Sequence, residues 1–491
     1  MKLKIITAGF LLLTAVSCKK SFLDLPPETS ISSTSFFKTT NDFTQAINGV
    51  YAGLRGLYET GYVMGEMRSD NAYLVYKSND RGNQNITKEQ VASFTDDAQN
   101  PYSNSKYYSC YNIISRANAV LGTIDAAQLD EAFKKNIKGQ AEFLRAFAYF
   151  ELVQYFGSVP LYLQVVATQA AASLPQSSVA DVYKQIIRDA TDAAAILPAP
   201  SVQVKGAVSS GSAYMLLGYV HMTLKNYPAA ETVLKSVTGL GYSLMGNYAD
   251  IFNPANKNNT ESIFEVQYMQ GASSVQSDFA YMFIPAVTDT KPITGVAGNN
   301  QTFGGWNTPT ADLIAAYETG DKRKNASIAM GYTDGSGTFI PQPYIIKYLH
   351  PHAVFNNTDD DWPVYRLADA LLLLAECLNE ENKAADALPL LNQVRIRAGL
   401  TSSAVTDQGQ LRDIIAHERR VELAFENHRW LDLVRTGKAL TIMNAFGVLQ
   451  KQTYSYLLPN TYNVTVNRLI FPIPFDEIVL NPKLIQNPGY N

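Results

Sequence analysis

Charged residues are scarce in this 491-residue chain, at 17% against about 25% in an ordinary globular protein. Lys and Arg number 40 and Asp and Glu 44, for a net charge of −4, and no four basic residues stand in a row. This excludes the counterion-releasing surface that nucleic acid requires. Cysteine is rarer still, at 3 residues, which excludes a disulfide framework. Cys110 and Cys377 lie within apolar helical patterns and read as buried free thiols, a single bridge between them being the alternative; neither has a Cys or His neighbour at metal-ligand spacing. Histidine numbers 5, and His350 and His352, either side of a proline, lack a third ligand, so they read as a loop pair without metal. No apolar run approaches the roughly 20 residues of a membrane-crossing helix. The G-x-S-x-G elbow, the phosphate-cradling glycine loop and H-E-x-x-H are also missing. No cofactor is implied.

Apolar residues, by contrast, make up 46%, enough to exclude disorder along the bulk of the chain. The length exceeds the roughly 250 to 300 residues at which one core stops growing, so more than one packed unit is expected. Tyrosine, at 29 residues, outnumbers phenylalanine at 22, and its ring and hydroxyl together suit polar, ring-shaped ligands as well as half-buried helix contacts. At the amino terminus Lys2 and Lys4 precede an almost wholly apolar stretch, Ile5 to Val16, and Ser17 then precedes Cys18. Residues 1–17 therefore read as a secretory signal, and Cys18 is similar to the acylated first residue of bacterial lipoproteins, although Ala15 stands where that motif prefers Leu. Residues 18–40, with Pro26, Pro27 and a Ser/Thr-rich run, read as a lipidated tether and an extended docking segment.

Helical periodicity dominates residues 41–252 and 364–491. Asn41 or Asp42 is expected to cap a first helix bearing Phe43, Ile47, Val50 and Leu54; a second runs from Tyr107 to Leu121 and a central third from about Phe133 to Phe156. Leu217, Gly218, His221, Tyr227, Ala230 and Leu234 match tetratricopeptide spacing, with Gly218 and Ala230 allowing close backbone approach. Similar pairs are drawn at 367–397 and, less clearly, at 105–156. The expectation is a mainly α fold, a scaffold of tetratricopeptide-like helix pairs. Between residues 253 and 363 Gly, Asn, Pro and Thr break up short apolar runs, which predicts a loop-rich insertion with short strands. Its aromatics point to a functional surface rather than a disordered one.

The helix at 417–430 sets Glu418, Glu422 and Glu426 on one face, and a carboxylate pair is what a glycosidase would use. Arg419, Arg420, Arg429 and, further on, Arg435 stand near enough to pair with them or with Asp432, so charge-compensated packing is the favoured reading. Glu376 is expected to pair with Arg395 or Arg397.

Five segments, SCKKSFLDLPPE (17–28), FLRAFAYFELVQYFGSVPL (143–161), RLADALLLLAECLNEENKAADALPLLNQVRIRAGL (366–400), HERRVELAFENHRWLDLVR (417–435) and FPIPFDEIVLNPKLIQNPGY (471–490), each resemble the RagB/SusD family, in the family's order. Asn427 replaces a common glycine, a change a left-handed turn tolerates, and Phe475-Asp476 replaces a more polar pair. The resemblance implies a surface-exposed, lipid-anchored outer-membrane protein that binds nutrient oligomers, most often glycans. It also implies that the protein is no enzyme and acts as a lid on a SusC-like TonB-dependent transporter. The family's ligand residues lie outside the matched segments. Aromatic residues with polar neighbours are therefore the candidates: Arg68, Asp70, Asn71, Tyr73 and Tyr76, then Asn100 and Tyr102, and in the insertion Tyr281 and Trp306. A glycoside hydrolase and a non-binding scaffold of a surface complex are the competing readings.

Overall fold

The computed structural model describes residues 36–271 and 275–490. The signal at 1–17, Cys18 and most of the 18–40 tether lie outside the described residues. Among the described residues ten helices of twelve residues or more occur, and nine of them form the stacked array: α1 (Thr40–Glu59), α2 (Pro101–Ile124), α3 (Glu131–Phe156), α4 (Val179–Ile196), α5 (Ser210–Thr223), α6 (Tyr227–Thr238), α7 (Leu367–Glu380), α8 (Ala384–Arg397) and α9 (Gln408–Glu422); the tenth is Ala439–Thr453. Each packs on the next from α1 to α8, and α9 joins α7 and α8. This is the serial stacking of a helical-repeat scaffold. Central α3 is buried on nearly every side from Gln140 onward, and Gly157 ends it with φ +71°. Where α5 crosses α6, a Cβ on Gly218 would lie 2.5 Å from Leu234 Cδ2, and Ala230 is fully buried.

Two helix starts differ from expectation. Thr39, rather than Asn41 or Asp42, caps α1, and Asp42 supplies the third-position half of a reciprocal capping box. The second helix begins six residues earlier than its apolar pattern, because Asn100 accepts a hydrogen bond from the Tyr102 N–H and Pro101 presets the first turn.

The segment 253–363 consists of short helices and strands, most strands being two residues long. One longer ladder pairs β1 (Ser262–Val266) with β2 (Trp362–Arg366), antiparallel, and so closes the insertion at its root. Ladders this short are not self-supporting. The insertion is held by aromatics such as Phe279, Phe283, Tyr348 and Trp362 packed into the main core and by side-chain ion pairs. Glu418 accepts from Arg323 Nη1 at 2.6 Å and Arg395 Nη1 at 2.9 Å. Glu422 accepts from Arg397 Nη2 at 2.5 Å, Arg323 Nη1 at 2.9 Å and Arg366. Glu426 accepts from Lys347 Nζ at 2.6 Å and Arg366 Nε at 2.8 Å. The expected single helix at 417–430 ends at Glu422, so Glu426 sits in the following turn and Arg429 and Arg435 belong to a separate helix, Arg429–Arg435. Arg419 and Arg435 take the Asp432 alternative, Arg419 pairing also with Asp369 and Arg435 with Glu376, while Arg420 pairs with Asp70 and Asp312 and Arg429 with Asp70. Side chains adjacent in sequence diverge around a helix, so the glutamates and their neighbouring arginines face different partners. Glu376 accordingly pairs with Arg435 and not with Arg395 or Arg397. Cys110 and Cys377 are free and buried.

Burial alone would raise the Glu422 carboxyl, but the guanidiniums of Arg397, Arg366 and Arg323 outweigh it and hold the group far below the usual carboxylate range. A depressed carboxyl stabilises the fold above its unfolded pKa near 4.3, and that contribution is lost as pH falls toward the folded value. Glu422→Gln, which leaves three buried guanidiniums undercompensated, is expected to cost about 3–5 kcal/mol in urea unfolding at pH 7. It should also flatten the acid limb of stability below about pH 4; an unaltered acid limb would contradict the assignment. Gly218→Val is expected to cost about 1–3 kcal/mol by overpacking against Leu234, read from the same unfolding curves.

Candidate ligand-binding cleft

A cleft of about 790 Å³ opens where the end of α1, the helix Asn83–Ser93, the first turn of α2 and the insertion meet. Its walls include Glu59, Asn85, Lys88, Tyr102, Asp278, Phe303 and Trp306. Trp306 is fixed from several directions. Gly305, at φ +75°, donates its N–H to the Ile284 carbonyl, and the Trp306 N–H donates to Met282 O at 2.9 Å. Two residues on, Thr308–Pro309 pairs with Ala72–Tyr73. The indole Nε1 donates to Asn85 Oδ1 at 3.0 Å, and Asn85 Nδ2 in turn donates to Asp80 Oδ2 at 3.0 Å. Lys88 Nζ sits 3.3 Å from the centre of the Trp306 ring and 4.5 Å from that of Tyr102, whose hydroxyl it also contacts. Burial, reinforced by the nearby Lys77 ammonium, pulls Lys88 down to about 7. Elsewhere in the lining burial, together with the charge of Glu59, raises Asp278 to about 6.

The candidates read from sequence divide between this cleft and the interior. Trp306 and Tyr102 line the cleft. Tyr76 is not among the lining side chains; exposed, it is stacked on Tyr456 at 3.9 Å and covered by the Arg81 guanidinium at 4.8 Å, so its ring offers an edge and a hydroxyl rather than an open face. Tyr73 packs on Tyr454 and is half-buried. The other five are interior. Arg68 is fully buried, donating to Asp96 Oδ1 at 2.7 Å, Val91 O and Arg468 O. Asp70 accepts from Arg429 and Arg420, and Asn71 joins Glu66 to Arg420. Asn100 is the buried cap of α2. Tyr281 is fully buried, its hydroxyl 2.6 Å from His352 Nε2. His350 turns instead to Asp360 at 2.5 Å, so the two histidines diverge.

Lys88, Asn85, Asp278 and Phe303 escaped sequence reading. Gln84, Asn85 and Lys88 share one face of a short polar helix by their three- and four-residue spacing, the only signal that could have found them.

Fold and cleft together define a helical-repeat scaffold whose irregular insertion completes one wall of a solvent-open aromatic and polar cleft. Residues 341–490 match the family described as the SusD family, and residues 21–222 the family described as starch-binding associating with outer membrane. The chain belongs to the RagB/SusD family. Two SusD-like proteins of Formosa agariphila are 27% and 29% identical, over 99% and 100% of this chain and 98% and 100% of their own lengths. A solved structure described as a laminarin binding SusD-like protein superposes with a TM-score of 0.77 at 27% identity, covering 92% of this chain and 100% of that one.

Asn85→Ala removes the acceptor of a buried indole N–H and is expected to cost about 1–3 kcal/mol. It should also shift the tryptophan emission of the native state, because Trp306 loses its orienting bond while Trp362 and Trp430, fully buried elsewhere, do not.

Proposed function

We propose that this protein captures oligo- or polysaccharide at the cell surface and passes it to a SusC-like TonB-dependent transporter of the outer membrane, performing no covalent chemistry. It is held to the membrane by acylation of Cys18. The observation that carries the reading is the cleft, in which Trp306 and Tyr102 stand among amides, hydroxyls and carboxylates. Sugars bury C–H faces on aromatic rings and exchange hydrogen bonds with such polar groups, and repetition along an oligomer supplies avidity. Family membership and the laminarin-binding relative support the same ligand class. A hydrolytic reading would draw on Glu418, Glu422 and Glu426, and each of these is buried and tied to arginine or lysine.

Incubation of the protein with a panel of polysaccharides should give retention without release of reducing ends. Tyr102→Ala together with Trp306→Ala should weaken that retention at least tenfold while the helical circular dichroism is kept. New reducing ends at catalytic rates, or undiminished retention by the double variant, would refute the assignment. Metabolic labelling with palmitate should mark the wild-type chain and not Cys18→Ser.

A further inference from the structure

Ten lysines and arginines are buried among the described residues, and all but one have a carboxylate within ion-pair reach. Lys106 has Glu151 and Lys347 has Glu426, for example. The exception is Lys88. Its side chain belongs to a residue only 2% exposed, and the partners of its Nζ are the Tyr102 hydroxyl, the Gln84 carbonyl at 3.4 Å and the face of Trp306. The charged group that bears on it is another cation, Lys77. Lys77, behind the cleft lining, donates from Nζ to the Gln301 carbonyl at 2.7 Å, lies 6.0 Å from the Trp306 ring centre and makes no ion pair among the described residues, although the charge of Asp80 bears on it.

An ammonium withdrawn from water without a counter-charge is costly, which is why buried cations in proteins are paired. In a scaffold that pairs its other buried cations, an unpaired one on a cleft wall marks where the ligand supplies the missing charge. We propose that the cleft is selective for acidic oligosaccharides, a carboxylate or sulfate ester on the sugar being held by Lys88 beside the Trp306 ring. The proposal rests on the glycan-binding reading and narrows it. The carboxylates of the lining are compatible, because Glu59, Asp80 and Asp278 can accept hydrogen bonds from sugar hydroxyls while the acidic substituent turns to Lys88. An anion at Lys88 would also restore the ammonium that burial and Lys77 disfavour.

The test is calorimetric titration of the detergent-solubilised full chain with five hexasaccharide probes: oligogalacturonate, a sulfated galactan oligosaccharide, laminarihexaose, maltohexaose and xylohexaose. At least one acidic probe should bind ten times more tightly than every neutral one, its affinity falling with added salt. Lys88→Gln should reduce that preference at least fivefold. The two acidic arms distinguish uronate from sulfate recognition. If neutral probes bind as tightly as acidic ones, or the preference survives Lys88→Gln, selectivity for acid falls while glycan binding stands. If no probe binds, glycan binding falls with it. A second readout needs no ligand: at pH 6 Lys88→Met should raise the melting temperature, because it removes an uncompensated charge. A lowered melting temperature would show that the lysine serves the fold and would overturn the proposal.

Discussion

The three glutamates at the end of α9 and in the turn that follows hold the molecule's parts together. Glu418, Glu422 and Glu426 draw in Arg323 and Lys347 from the insertion, Arg366 from the end of β2 and Arg395 and Arg397 from α8. Helix stacking buries the scaffold's apolar faces, whereas the insertion, with mostly two-residue ladders and a small satellite core around Tyr281, Ile284 and Tyr344, sends Phe279, Phe283, Tyr348 and Trp362 into the main core and is tied there by charge. Ion pairs of this kind recover their desolvation cost only when geometry is good and every oxygen is used. Here each carboxylate serves at least two cations, and Glu261 completes the set by accepting from Arg366 and Arg397.

The same logic extends to the cleft. Arg68, Asp70 and Asn71 touch no solvent-open wall, yet they position one. Arg68 joins the carbonyl of Val91, in the Lys88 helix, to that of Arg468 near the carboxyl terminus. The Asp70 and Asn71 carbonyls accept from Thr310, which follows the strand that fixes Trp306. A site built on loops thus gains its rigidity from buried polar residues one layer back.

This division explains what the sequence disclosed. The helices were legible because periodicity is local: the apolar stripe of α1, the continuous burial of α3 and the Gly218 crossing are written within a few turns. The family resemblance likewise rested on contiguous segments. The polar partners were not legible, because pairs such as Arg68 with Asp96, or Arg429 with Asp70, join residues tens to hundreds of positions apart. Arg68, Asp70 and Asn71 look like ligand groups in a string of letters for the reason they serve as struts: each can make several directed bonds. Tyr281 misled similarly, since a tyrosine whose hydroxyl meets a histidine can be buried as completely as a phenylalanine. Left-handed Asn427, at φ +69°, was readable because that requirement is local too.

The aromatic rings at and near the cleft are themselves largely committed. Trp306 has its edge committed to Asn85 and its face covered by Lys88, and Tyr76 lies between Arg81 and Tyr456. Neither ring is a bare platform, so a sugar would have to meet cations as well as aromatic faces. A low overall charge sharpens the consequence. With 17% charged residues, most buried ones already paired, the unpaired Lys88 ammonium stands apart from the carboxylates that also line the cleft, and a ligand's substituents as well as its ring faces decide how it sits.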